Sequence, residues 1–272
     1  MYQGFAPALA LQAAIESYWR LRAPLYRIAQ QMIVDGFADL IFSFGVGYER
    51  RSAGDSQTLA YSNLDAQREH AIAIIQQGDI HLVGVRFRPG GLAAFLPIPA
   101  QQLANQTLDL HSVFGTAASV LEQQLYDSAH DAAAQVRLLD AFFLRRLRTS
   151  TAYAFAHTIA REIDRQQGEI TMRALSAEIG YSVRTIDRLF GQYFGLTPKF
   201  YARSVRFRRA LRLLAQSPTL NLTAVAVACG YYDLAHFSKE CSALAGMNAE
   251  ACRAFVRART QAPPPLVEFL TK

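Results

Sequence analysis

The feature that most constrains this chain is that part of it occurs twice. Ile170-Thr171-Met172-Arg173-Ala174-Leu175 is echoed fifty positions later by Leu220-Asn221-Leu222-Thr223-Ala224-Val225. In each copy a good N-cap, Thr171 or Asn221, has an apolar residue before it and another four positions after it, so that Ile170 can staple to Leu175 and Leu220 to Val225. Each helix runs to a glycine, Gly180 or Gly230, suited to a left-handed turn, and Ser182 or Asp233 then stands as the N-cap of a second helix. The pattern predicts helix, short turn, helix, twice over.

The faces of the two second helices follow from a rotation of about 100 degrees per residue. In the first, Ile186, Leu189, Phe190 and Tyr193 form the inward stripe; Arg184 and Arg188 lie opposite, flanked by Thr185, Asp187 and Gln192. In the second, Phe237, Cys241 and Leu244 point inward, leaving Ala235, Lys239 and Ser242 opposite, flanked by His236 and Ser238. Basic and hydrogen-bonding groups on a narrow outward face suit the major groove, where Arg or Lys bonds guanine O6 and N7, and cap residues such as Ser182 suit phosphate. Between the units, Thr197-Pro198 is a cap followed by proline at the first helical position, opening a long helix to about Gln216. Such a helix spans roughly 30 Å, against about 34 Å for one turn of B-DNA. That length allows two reading heads on successive turns.

Charge is divided unevenly along the chain. Residues 1–150 hold 12 Lys+Arg and 13 Asp+Glu, whereas residues 151–272 hold 16 and 9. Within the basic half, Arg184, Arg188, Lys199, Arg203, Arg206, Arg208, Arg209 and Arg212 face the single acid Asp187. A cluster of this kind fits a polyanion partner, because each phosphate neutralised releases counterions; a solvated helix face accounts for it as well. Thr171, Lys199, Arg203 and Asn221 are the candidate phosphate contacts.

The front half reads as strands followed by helices. Residues 26–34, 38–46, 71–76 and 80–88 are strand-like runs rich in Ile, Val and Phe, punctuated by Asp35-Gly36, Gly45, Gly47, Gly78-Asp79 and Pro89-Gly90-Gly91. They predict an antiparallel sheet or small barrel. After the Leu96-Pro97-Ile98-Pro99 breaker, Leu110, Val113, Phe114, Ala117, Val120, Leu121 and Leu125 take helical spacing, and a second helix is expected over residues 132–148. Its basic end, Arg145, Arg146 and Arg148, complements the helix dipole. The polar run at 148–151 marks a domain boundary. The whole is α+β: a β-rich sheet or barrel with trailing helices over 1–148, an all-α domain with two helix-turn-helix units over 152–260, and a Pro-rich tail over 261–272.

The carboxyl-terminal half resembles the AraC family of bacterial transcription regulators over about residues 159–253. The resemblance rests on Leu175-Ser176, Gly180-Tyr181-Ser182, Arg184, Arg188-Leu189-Phe190, Gly195-Leu196-Thr197-Pro198 and Tyr201, and continues through Arg209-Ala210, Leu213-Leu214, Val225-Ala226, Gly230-Tyr231, His236-Phe237-Ser238-Lys239 and Gly246. It implies seven helices, two helix-turn-helix units in one subunit, and sequence-specific binding of double-stranded promoter DNA under control of a companion domain. It places Arg184, Asp187 and Arg188 of the first unit, and Leu234, Ala235, His236, Ser238 and Lys239 of the second, at base-reading or backbone-contacting positions. RNA polymerase and a second copy of the chain are further partners it admits. Cys241 and Cys252 stand where the family usually has aromatic residues, and Met247-Asn248-Ala249 where a polar residue plus Ser/Thr-Pro is usual, so a looser second unit is expected. Leu234 and Ala235 donate no hydrogen bond, so base discrimination is expected mostly from the first unit.

The front half, over about residues 17–147, is similar to a poorly characterised domain found fused to AraC-type modules. The residues carrying this are Tyr18-Trp19, Asp35-Gly36, Asp39-Leu40-Ile41-Phe42 and Val83-Gly84-Val85-Arg86-Phe87-Arg88-Pro89-Gly90-Gly91. The resemblance implies sensing or association. Arg86 and Arg88, on one strand face beside a Gly-Gly turn, are candidate ligands for an acidic small-molecule effector; pairing with Asp35, Asp39 or Asp79 accounts for them equally.

Other classes are disfavoured. No apolar run approaches the roughly 18 residues that span a bilayer, and the amino terminus lacks a signal-peptide layout, so no membrane partner and a cytoplasmic location are expected. His70, His81, His111, His130, His157 and His236 show no metal spacing, and no phosphate loop or nucleophile elbow occurs. We therefore expect no enzyme, no cofactor and no metal. Cys229, Cys241 and Cys252 fit neither a disulfide framework nor zinc knuckles and read as small buried apolar side chains. The alternatives are a sensor or adaptor that binds nucleic acid without sequence preference, and a DNA-repair alkyltransferase-like protein; the absence of cysteine from the front half argues against the latter.

Overall fold

The computed structural model describes residues 2–52, 55–59 and 62–261, and the fold is α+β. The expected Pro-rich tail lies, but for Gln261, outside the described residues.

Two long antiparallel strands organise the front half. The strands β1 (Tyr2–Phe5), β2 (Ile15–Met32), β3 (Ala38–Ser43), β4 (Tyr48–Ser52), β5 (Asp55–Leu59), β6 (Asn63–Asp65), β7 (Ile72–Phe87) and β8 (Thr107–Asp109) form one sheet. Its order is β1-β2-β7-β3-β6-β8, with β4 pairing both β5 and β7. The runs expected as separate strands at 71–76 and 80–88 are one strand, β7. Gly78-Asp79, expected to be a turn, lies inside it, because β2 pairs with β7 on both sides of the glycine and shifts register between Ala23 and Tyr26. Gly78 takes φ +120° at this irregularity. Beyond it the first part of β7 pairs with β4 and the last part with β3, so one strand serves two neighbours. Of residues 26–34, expected as a strand of their own, 26–32 are the end of the longer β2, and 33 and 34 follow it outside the strand.

The expected helix over 110–125 is interrupted. It is α1 (Leu110–Phe114) and α2 (Thr116–Asp127), separated by Gly115 at φ 65° and ψ −156°, outside any helical region. The next helix, α3 (Ala132–Leu144), is shorter than expected, and beyond it the backbone N–H of Arg148 bonds Ala94 O at 2.7 Å rather than extending the helix. These helices close one face of the sheet. Phe87, Phe95 and Phe143 meet at ring-centroid distances of 4.9–5.7 Å at the centre of this core, which Tyr153 also enters.

The remaining helices are α4 (Thr151–Arg165), α5 (Met172–Ile179), α6 (Val183–Phe194), α7 (Pro198–Gln216), α8 (Leu222–Ala228), α9 (Leu234–Ala245) and α10 (Ala249–Gln261). The local signals act as chemistry requires. Thr171, Ser182, Thr197, Asn221 and Asp233 each accept a hydrogen bond from an N–H of the first turn that the helix itself leaves unpaired. Two cores result. One packs α4, α5 and α6 on the first part of α7; the other packs α8, α9 and α10 on the rest of it. Val34, just beyond β2, belongs to the second of these cores, so front and rear halves share apolar interior. No helix among the described residues is long and apolar enough to cross a membrane.

Candidate nucleic-acid interface

On α6 the residues aimed at solvent are those the rotation argument selects. Arg184, Asp187 and Arg188 are exposed, while Ile186, Leu189 and Phe190 are at most 6% exposed. Phe194, absent from the expected stripe, is buried and stacks on Phe190 at 4.3 Å, whereas Tyr193 is only half-buried. Ser182 is exposed; its Oγ accepts from Thr185 N at 3.2 Å and lies 3.0 Å from Thr185 Oγ1, which orients both hydroxyls at the mouth of the helix. Gln192 departs from expectation. It is half-buried and lines a small crevice with Ile98, Pro99 and Thr149, because the last turn of α6 rests on the front half.

On α9 fewer of the expected groups are available. Ala235, Lys239 and Ser242 are exposed. Leu234 is half-buried and packs on the second rear core. His236 sets its ring edge-on against Tyr231 at 5.4 Å and accepts from Tyr232 N at 3.4 Å. Ser238 Oγ accepts from Ala249 N at 3.4 Å. These three serve the fold of the unit, which leaves Lys239 as the cation of its outward face. The cysteines do not open the core: Cys229, Cys241 and Cys252 are free thiols at 0–1% exposure, and burial pushes the Cys229 thiol up. A looser second unit is not what the burial shows.

The basic stretch divides in the same way. Arg184, Arg188, Lys199 and Arg212 are exposed. The other four, all on α7, are half-buried and engaged within the protein. Arg203, expected as a phosphate contact, is held by Glu240 through two hydrogen bonds at 2.9 and 3.0 Å. Arg206 lies 5.6 Å from the Tyr231 ring centroid, Arg209 pairs with Glu169 at 2.7 Å, and Arg208 bonds Asp35 O at 3.1 Å. Alternation with apolar residues along α7 reads as a charged face in sequence, yet the chain folds acids of α9, α4 and the α4–α5 turn onto it. No local pattern announces partners more than thirty positions away. Thr171 and Asn221 are exposed, each with its side chain spent on its own cap.

Arg86 is likewise taken. It is 4% exposed and forms ion pairs with both Asp35 and Asp39, the second at 2.7 Å. Burial raises the Asp39 carboxyl to about 6 against the opposing pull of Arg86. Arg88 pairs with Glu16 and donates to Gln12 O at 2.8 Å. The pairing alternative accounts for the contacts of both arginines, which also line the cleft between the sheet and helices α4 and α7.

A helix-turn-helix domain family matches residues 175–254, and a domain of unknown function, DUF6597, matches residues 3–109. The chain is 39% identical over 70 residues to the transcriptional activator RhaS of Klebsiella pneumoniae, covering 26% of this chain and 25% of that one. It is 34% identical over 82 residues to RhaS of Escherichia fergusonii, covering 30% and 29%. The chain thus spans between a quarter and a third of the length of these curated relatives. Among solved structures, ToxT from Vibrio cholerae O395 aligns with a TM-score of 0.46 and 7% identity over 94% of this chain and 98% of that chain. The AraC-like activator CuxR aligns with a TM-score of 0.36 and 11% identity over 77% and 79%.

Proposed function

We propose that this chain is a sequence-specific DNA-binding transcriptional regulator whose helices α6 and α9 enter successive major grooves. The observation that carries the reading is the sorting of charge. Arginines that the fold needs are paired inside it, whereas Arg184 and Arg188 on α6 and Lys239 on α9 stand on exposed faces of capped helices. Arg184 and Arg188 act as base readers, with Thr185 and Asp187 beside them. Ser182, Lys199, Lys239 and the first turns at Thr171 and Asn221 meet phosphate, and Ala235 meets a thymine methyl. Residues 1–148 form the sensing or association domain and residues 152–260 the DNA-binding domain.

A small anionic effector fits the cleft of about 690 Å³ between the sheet and helices α4 and α7. Its sheet wall includes Phe5, Met32 and Phe37, and its helix wall includes Arg161 and Arg212, which have no acidic partner within 4.0 Å among the described residues. Thermal shifts of the full chain with a panel of small carboxylates and inorganic phosphate, repeated on Arg161→Gln/Arg212→Gln, test this part. RNA polymerase contact and self-association complete the reading, and sedimentation with and without DNA checks the latter.

The deciding experiment is footprinting upstream of the chain's own and neighbouring genes, joined to a salt titration. A regulator keeps a large affinity ratio for one sequence over random DNA as salt rises. A sensor or adaptor that grips nucleic acid indiscriminately loses affinity with salt and shows no such ratio.

A further inference from the structure

Helix α7 joins the two recognition helices in sequence, but their far ends meet a different part of the molecule. Both α6 and α9 end on a left-handed glycine, Gly195 at φ 67° and Gly246 at φ 68°. At both, the front half closes in. A β-carbon on Gly195 would run into the Gln67 side-chain amide and come within 2.7 Å of Ala100 O; one on Gly246 would lie 3.1 Å from Gln31 Nε2 and 3.8 Å from Ala71.

Gln67 and Ala71 belong to the same short loop, residues 66–71 between β6 and β7, so one loop touches the ends of both helices. The loop is tightly built. Ala66, Gln67 and Arg68 are 2–8% exposed. Ala66 N bonds Gln106 O at 3.1 Å, Asn105 N bonds Gln67 O at 2.9 Å, and Glu69 N bonds Asn105 Oδ1 at 2.8 Å. Arg68 pairs with Asp65 and donates to Thr107 Oγ1 at 2.6 Å. Beside the loop, the end of β2 and the residues just after it complete the seat of α9. Val34 N donates to Leu244 O at 2.9 Å and Gln31 Nε2 to Ala245 O at 3.2 Å. These carbonyls lie in the last turn, where a helix has no donors of its own to offer.

We propose that loop 66–71, with Gln31 and Val34 beside it, is a strut that sets the separation and relative rotation of α6 and α9, and so the half-site spacing of the DNA the chain reads. The proposal rests on the DNA reading above. One added base pair moves a half-site by roughly 3.4 Å along the duplex and turns it by about a tenth of a helical turn. A connection that holds two helix ends against one hydrogen-bonded loop therefore discriminates single steps of spacing. A single helix such as α7 bends more easily. No strut residue lies on an outward face of α6 or α9, so the strut governs spacing and leaves the bases read in each half-site unchanged.

Two variants of the full chain test it: Gln31→Ala/Gln67→Ala, and one glycine inserted between the exposed residues Glu69 and His70. Each is measured in two ways. Nitroxide labels on Val183→Cys and Ala243→Cys, both at exposed positions, report the distance between the recognition helices by double electron–electron resonance, with the unaltered chain as a control that its buried thiols do not label. Selection from DNA libraries with varied spacers reports the spacing preferred. The parent is expected to give one narrow distance and roughly a tenfold preference for one spacing over its neighbours. Both variants are expected to broaden the distance and flatten the spacing preference while selecting the same bases. Variants that keep either the parent's distance distribution or its spacing preference overturn the strut. A parent that binds all DNA alike overturns the DNA reading and this use of the strut together, and the distance measurement distinguishes that result from a strut that is absent.

Discussion

The two helix-turn-helix units present similar outward geometry from dissimilar interiors. Behind α6 lies an aromatic stack, Phe190, Phe194 and Tyr201, with ring centroids 4.3–5.6 Å apart. Behind α9, Phe237 meets the Tyr231 ring at 5.1 Å, and its core also holds small and sulfur-bearing side chains, among them Cys229, Cys241, Ala245 and Cys252, all at most 1% exposed. In the second unit the recognition helix itself carries the polar tie, Glu240, 9% exposed on the inner side of α9, holding Arg203 of α7, whereas in the first the tie to α7 comes from α4, where Asp164 accepts from Tyr201. Small residues let α9 approach its neighbours closely, and an ion pair then fixes it. The chemistry of the outer face is therefore not dictated by how the inner face is packed, which frees α6 to carry two arginines and α9 one lysine.

The largest effect expected from breaking this comparison is at Glu240. Glu240→Ala leaves Arg203 half-buried without its carboxylate, and stability falls by about 2–3 kcal/mol, less than for a fully buried pair because Arg203 keeps some contact with water. Urea denaturation measures it; a loss below about 0.5 kcal/mol would mean that solvent replaces the partner. The matching change outside the second unit's core, Glu169→Ala, frees Arg209 from an exposed pair and is expected to cost under about 1 kcal/mol.

Next in size is the split in base reading. Arg184→Ala and Arg188→Ala are each expected to relax preference at particular base pairs by about 1–3 kcal/mol. Lys239→Ala is expected to weaken all sequences alike and reduce the salt slope by about one. Binding-site selection decides the contrast, and equal information content in the two half-sites would refute it. Lys199→Ala sharpens it further. Lys199 is exposed and predicted to lower the salt slope by roughly one, whereas Arg209→Ala, one helix face away and paired with Glu169, is expected to leave that slope where it was.

These contrasts also explain what the sequence could disclose. Caps, staples and inward stripes act within one turn of helix, so Thr171, Ser182, Asn221 and the apolar positions of α9 were legible from spacing alone, as were Ile186, Leu189 and Phe190 of α6, whereas at its end Phe194 takes the buried place that spacing gave to Tyr193. Pairing across the fold was not. Arg203 meets Glu240 at a separation of 37 positions, and Val34 meets Leu244 across more than two hundred. Neither partner carries a local mark, because an arginine destined for solvent and one destined for a buried carboxylate occupy the same helical register. Gly78 misled for a related reason. A glycine ends a strand only when no neighbour continues past it, and β2 does continue.

The smallest effect concerns how each unit is moored to the front half. The end of α9 is held by a backbone N–H and an amide, Val34 and Gln31, neither of which titrates. The end of α6 is held partly through His157 of α4, whose ring lies 5.0 Å from that of Phe194. Its Nε2 is shut off from water with no partner among the described residues. Burial, reinforced by the Arg161 charge, holds this imidazole below its ordinary value of 6.5. The unfolded chain then binds more protons than the folded one below that pH, so the contribution is complete above pH 6.5 and is lost as pH falls through the lower folded value. His157→Gln, which keeps a polar side chain at this position but cannot charge, is expected to flatten the decline in thermal stability between pH 7 and 5. Under the same acidification the label-to-label distance of the parent should broaden through movement of α6, and not of α9. A His157→Gln chain that declines as steeply as the parent would place the acid sensitivity elsewhere and leave the two moorings alike.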